Sequence, residues 1–283
     1  LRHWIANSAL PFSMDQPDKM NAAIDKMIAS LGGTVSLLGF GEALHGGEEI
    51  FVLRNHLFRR LVEAHGYSAI AIESSFSSGP IVNDYIGGRG PLSYDDVKES
   101  GFSHNFGRLE ANRDLVEWMR TYNAEPSHAT KLCFYGFDTP TESMSSDSPR
   151  RLLRFVIDYL KSLDPGIGEK LQGRIEPLIG EDAAWETADA AMDPTRSVGL
   201  SADATALRIE VEDIYAELQL CRPSLIAGST EERYAEAVHY VALARWLLTY
   251  HAVVARQSDD RYIRLLSLRD AMMADNLAYI VNQ

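Results

Sequence analysis

Cysteine is nearly absent: Cys133 and Cys221 are the only two in 283 residues. Cys133 lies in the apolar run KLCFYGF and reads as a small buried hydrophobe, so a disulfide framework is not expected and a cytoplasmic setting is compatible. Basic residues are outnumbered 27 to 40, for a net charge of −13. That balance opposes an electrostatic grip on nucleic acid or on an anionic membrane. No apolar run approaches the roughly 18–20 residues of a membrane span. The opening stretch LRHWIANSALPF is too polar for a secretory signal. Several catalytic signatures are missing as well: no G-x-S-x-G elbow, no H-E-x-x-H zinc helix, no C-x-x-C pair and no P-loop. GFGEALHG comes near the dinucleotide G-x-G-x-x-G, but Leu44 stands at the third glycine. Glu42, Glu48 and Glu49 would also place negative charge where a pyrophosphate sits.

What is present is an ordinary globular balance, 46% hydrophobic and 24% charged, which at this length supports one large domain or two smaller ones. Three short, nearly continuous apolar runs read as strands of a sheet covered on both faces: 34–41, 68–73 and 131–137. Helical patterns over 15–31, 48–65 and 111–123 separate them. Gly66 suits the C′ position of the second helix. Alternating strand and helix predicts an α/β core over 1–148, with a central, largely parallel sheet flanked by helices. From 149 onward only helical periodicity is found, over 150–163, 168–179, 202–220, 231–257 and 260–281. The joints DPGIG, MDPTRS and CRPSLIAGST carry loop punctuation. This half is expected to form a helical cap.

The three runs end on carboxylates: Glu42, Glu73 and Asp138. Ligands of open parallel sheets bind beyond the carboxyl ends of the strands, so these acids and His45 are candidates for one crevice. The plainer alternative is that acidic residues end strands as turn formers and caps. The glycines around Glu42 read as a tight turn that presents the histidine. In the next helix, Ile50, Phe51, Leu57, Phe58, Leu61 and Val62 form an apolar stripe, and Arg54 falls inside it. Asn55, His56, Arg59 and Glu63 belong to the opposite face. A buried guanidinium calls for a carboxylate, with Glu42, Glu73 and Asp138 as candidates, unless it snorkels past the stripe to water. In the last helix, Leu266, Met273, Leu277 and Ile280 make a stripe, with Arg269 and Asp270 near it as a structural ion pair. His104, in GFSHNFG, is a candidate pocket wall. His239 and His251 read as helix core or surface residues, and His3, His56, His65 and His128 as surface or cap residues.

Histidine and carboxylates support acid–base work. A neutral imidazole can take a proton from water, a carboxylate can orient the ring, and an arginine can stabilise an oxyanion. One histidine with carboxylates could instead hold a divalent cation, but with a single histidine in the cluster neither a metal nor a cofactor is expected. Direct attack of activated water on an ester fits these parts. Proton abstraction or cyclisation by the same base, or an inert ligand-binding crevice, are the alternatives.

The block LLGFGEALHGGEEIFVLRNHLFRRLVEAHGYSAIAIESSF, followed by NDYIGG, LVEWMRTYNA, KLCFYGFD and SLRDAMMADNLAYIV, resembles the erythromycin esterase family. The resemblance implies an α/β core with a helical domain, and hydrolysis of a carboxylic ester or macrolactone by histidine-activated water. It implies His45 as general base, with Glu42, Glu73 and Arg54 as its catalytic partners and a small-molecule ester as the partner. Asp138 and His104 are expected against the substrate. The resemblance further implies a strand and a histidine-bearing segment after the R-D-x-x-M helix. The sequence ends at Gln283 ahead of them, so the helical region is expected to continue into a C-terminal part of the core. GFSHNFGRLEANRD stands where relatives carry a tryptophan-rich turn, which leaves the substrate open.

Overall fold

The joints between helices show how the sequence builds the fold. Asp164 accepts from the N–H groups of Gly166 and Ile167, and Pro165 opens the helix Pro165–Ile179. Ser201 caps Ala202–Leu220 through the Ala204 N–H, and Thr230 caps Glu231–Val254 through the Arg233 N–H. The helices Arg150–Leu163 and Arg261–Val281 complete this set. The structure is a computed structural model. It describes residues 2–32, 35–42, 45, 47–142 and 145–283, with the backbone alone at Glu142 and Ser145. The protein is mostly helical.

The chain divides into two compact units, one of residues 1–71 with 81–134 and one of 72–80 with 135–283. Strand β1 (Ala69–Ser75) and strand β2 (Cys133–Asp138) therefore each contribute to both. They pair as a parallel ladder, with the Cys133 N–H donating to Ser68 O and the Phe76 N–H to Asp138 O. Among the described residues this is the whole of that sheet, narrower than the flanked central sheet expected from the sequence. Residues 35–41, the described part of the run 34–41 expected as the first strand, have neither helix nor ladder, and Thr34 lies outside the described residues. Val35, Leu37 and Phe40 are exposed, whereas Leu38 packs on the core beside it. An apolar run without a ladder partner cannot satisfy its backbone as a strand.

In the first unit, Pro17–Leu31 packs on Glu48–His65 through Met20, Ile24, Leu57 and Leu61. Arg60 clamps Asp25 with two bonds of 2.6 and 2.8 Å, and His65 adds a third of 2.8 Å. These bonds, Arg60's first and then His65's, hold the Asp25 carboxyl down at about 2. The second unit is built on Leu152, Val156, Ile175, Leu207, Val211 and Leu247, all essentially inaccessible to solvent. Gly136 is required in β2: a Cβ there would fall onto the carbonyl oxygens of Ser74 and Ser75. A short antiparallel pair, Thr141–Glu142 with Ser145–Ser146, follows.

Candidate active site

The helix Glu48–His65 opens with Glu48 and Glu49 in its first turn, where carboxylates suit the positive end of the helix dipole. It closes on Gly66 at φ 76°, whose N–H bonds Leu61 O, as expected of a C′ glycine. Just ahead of this helix, His45 Nδ1 lies 3.1 Å from Glu42 Oε1. A carboxylate can only accept, so Nδ1 carries a proton, and in the neutral ring Nε2 then keeps its lone pair. The His45 side chain is 67% exposed against 18% for Glu42, so the base is open while its orienting carboxylate is largely covered. The tight-turn reading of the flanking glycines does not hold at Gly39 and Gly41. Neither has positive φ, and a Cβ at either would meet nothing within 4 Å. Ala43, Leu44 and Gly46 of the motif lie outside the described residues.

Phe106 forms an aromatic floor in the same unit. The rings of His45, His104 and Phe51 have centroids 6.2, 5.7 and 6.0 Å from it. His104 and Asn105 carry φ of 56° and 58°, a left-handed pair outside glycine. Such backbone strain concentrates at ligand-handling turns.

Arg54 is positioned differently from expectation. It stacks over Phe51 at 4.9 Å. Its partners are two amide oxygens: Nε and Nη2 donate to Asn55 Oδ1 at 3.2 and 2.9 Å, and Nη2 donates to Asn112 Oδ1 at 2.7 Å. Among the described residues no carboxylate lies within ion-pair distance of it, and its Nη1 meets no acceptor. Burial pulls the guanidinium down to about 10, against the opposing pull of Glu42 and then Glu48. Asn55, placed on the solvent face by periodicity, is 5% exposed, and its amide also donates to Ala111 O. The Glu48 carboxylate accepts from the Ala111 N–H at the start of the helix Glu110–Ala124.

In the second unit, Arg269 takes the two strand-end carboxylates that sequence reasoning offered to Arg54. Its Nε and Nη2 reach Asp138 at 3.0 and 2.7 Å, and Nη2 reaches Glu73 at 2.6 Å. Asp138 first, and then Glu73, push the guanidinium above its ordinary range. Asp138 is fully buried and also accepts from the Thr139 N–H at 2.7 Å, whereas Glu73 keeps 26% of its side chain exposed. Asp270, the other half of the ion pair considered for this helix, is exposed. The buried face of Arg261–Val281 is Arg261, Leu265, Met272 and Asn276, while Leu266 is 63% exposed, so the expected stripe is displaced round the helix. Arg269 sits four residues after Leu265 and three before Met272, on that face. Asn276 donates to Phe137 O and Asp138 O and accepts from His239 Nε2 at 2.8 Å. His239 and His251 are both buried, and burial pulls each imidazole down to about 4.

The first unit thus joins Glu42 to His45 and sets His45 and His104 around one ring. The second joins Glu73 and Asp138 through Arg269. Against known proteins, the family model of erythromycin esterases matches residues 62–283, a stretch that holds Glu73, His104, Asp138 and Arg269. Erythromycin esterase type II of Escherichia coli is 30% identical over 161 residues, 57% of this chain and 36% of its own length. A solved protein of Bacillus cereus superposes with TM-score 0.76 at 19% identity, over 98% of this chain and 61% of that one. A succinoglycan biosynthesis protein gives 0.70 at 20% identity, over 98% and 61%. A mutant of the erythromycin esterase EreC in its open conformation gives 0.64 at 18% identity, over 92% and 60%. These structures establish a shared fold, and the chain spans little over a third of the curated relative's length. With the family model covering most of the sequence, the chain belongs to the erythromycin esterase family.

Proposed function

We propose that this chain takes part in hydrolysing a carboxylic ester or macrolactone, with His45 as the general base and no covalent nucleophile. The observation that carries the proposal is the exposed His45 imidazole whose Nδ1–H is held by Glu42, leaving Nε2 free to receive a proton. In this scheme a water gives its proton to Nε2 while its oxygen attacks the ester carbonyl. The Nη1 of Arg54 donates to the oxyanion that forms. Collapse breaks the C–O bond, and the leaving alkoxide takes the proton back from His45. Glu42 orients the ring and balances the imidazolium in the meantime. His104 is assigned to the wall beside His45. Glu73 is assigned to catalysis as a second carboxylate, fixed by Arg269, and Asp138 serves the substrate side through the same guanidinium. The family and the relative named an erythromycin esterase support an ester as substrate class.

The test is incubation with erythromycin, other macrolactones and aryl esters in oxygen-18 water, with products read by mass spectrometry. Hydrolysis places one solvent oxygen in the new carboxylate. A product without solvent oxygen would replace hydrolysis by proton abstraction. No conversion of any ester would remove the reading. Glu73→Gln is expected to lower turnover with its melting temperature retained.

A further inference from the structure

We infer that Asn55 and Asn112 are positioning residues that grip the Arg54 guanidinium with neutral acceptors, leaving its positive charge available to the Glu42–His45 pair. The inference rests on the proposed reaction for its kinetic consequences, but the geometry behind it is independent.

A guanidinium set into a helix face is usually met by a carboxylate, which fixes it and cancels it together. Here the two functions are separated. Three bonds from Arg54 fix it, and all end on amide oxygens. The orientation of both amides is determined by their other halves. Asn55 Nδ2 donates to Ala111 O at 2.6 Å, and Asn112 Nδ2 donates to Phe106 O at 2.9 Å. Turning either amide over would set N–H against N–H on one side and oxygen against carbonyl oxygen on the other. Both residues are buried, at 5% and 1% exposure, so water cannot substitute for the lost bonds. The result is a guanidinium held by three bonds to two amide oxygens and neutralised by neither. Its countercharges, Glu42 and Glu48, act on it from beyond ion-pair distance. Glu42 is also the partner of His45. Asn112 reaches further still: through Phe106 O it ties Arg54 to the turn whose ring lies against His45 and His104.

The discriminating substitutions are Asn112→Asp and Asn55→Asp. A carboxylate accepts from Arg54 as well as an amide does, so a purely structural clamp would survive. The charge would not. We expect kcat to fall about tenfold or more in each, with KM within about threefold, as when an interaction made only in the transition state is lost. Asn112→Ser withdraws the acceptor without adding charge, and lowers kcat in the parent but not in an Arg54→Ala background. Nuclear magnetic resonance of the His45 ring gives a readout without turnover. Glu42 is the charged partner of that ring, and Arg54 interacts electrostatically with Glu42. Cancelling Arg54 moves the His45 ring resonances in either Asp variant, and Asn112→Ser leaves them in place. If Asn112→Asp does not fold, Asn55→Asp carries the same test. Parental kcat and unmoved His45 resonances in a folded Asp variant would overturn the inference, as would full additivity of Asn112→Ser with Arg54→Ala. An Arg54→Ala variant with parental turnover would instead remove Arg54 from the proposed reaction, and the His45 resonances would still decide the inference.

Discussion

Replacing Arg269 by methionine should be among the most damaging single changes in the second unit. Asp138 has no solvent exposure, and among its partners Arg269 is a cation that makes two bonds to it and offsets much of the cost of burying its charge, beside one N–H from Thr139. Removing one member of a buried ion pair costs about 3–5 kcal/mol because the other loses its countercharge. Arg269 keeps 29% of its side chain exposed, so water recovers part of this, and we expect a loss of roughly 2–4 kcal/mol. The guanidinium's proton affinity is raised in the folded protein above its ordinary range, so its contribution is complete below that range and fails only in strong base. The parent should therefore show no pH dependence from Arg269 between pH 5 and 9. Urea denaturation across that range, followed by circular dichroism, measures both the loss and its independence of pH. Arg269→Met/Asp138→Asn should recover most of the loss. A deficit below about 1 kcal/mol, or a double variant no more stable than the single, would refute the argument.

Gly136→Ala should destabilise by about 2–4 kcal/mol, seen as a lower melting temperature, because its Cβ meets the Ser74 and Ser75 carbonyls. Asp25 titrates lower in the folded protein than in the unfolded chain, so its stabilisation is complete above the ordinary 3.8 and is lost as pH falls through about 2. Asp25→Asn should flatten the melting temperature over that window. His239 and His251 are each depressed from 6.5 to about 4, so the unfolded chain binds more protons between those values and stability falls as pH drops from 6.5 towards 4. Each contributes up to about 3 kcal/mol to that decline, and His251→Gln should lessen the slope of an acid-unfolding curve.

Much of the helical architecture was legible in the sequence because capping and periodicity are local. The helices at 48–65, 150–163 and 202–220 have the predicted bounds, and Gly66 behaves as the C′ residue it resembles. The strand pair at 69–75 and 133–138 was legible from its apolar runs. The run 34–41 was not, since an apolar run does not say whether a ladder partner exists. For the site, the link between Glu42 and His45 follows from a spacing of three residues, and the structure makes it directly. Neither arginine has the partners expected of it: Arg269 takes two of the carboxylates offered to Arg54, and Arg54 is held by amides. Periodicity tells which face of a helix is buried but not what lies against it, so the amides around Arg54 and the carboxylates around Arg269 were out of reach. The last stripe was also read one position late, Leu266 for Leu265, whereas the buried face is the one that Arg269 shares with Met272 and Asn276.

The most direct test of the mechanism is turnover by His45→Ala on the ester that the parent hydrolyses fastest, with circular dichroism and melting temperature measured in parallel. Loss of a general base predicts a fall in kcat of about 100- to 10,000-fold with the fold intact. A folded His45→Ala protein that turns over within about threefold of the parent would contradict the account.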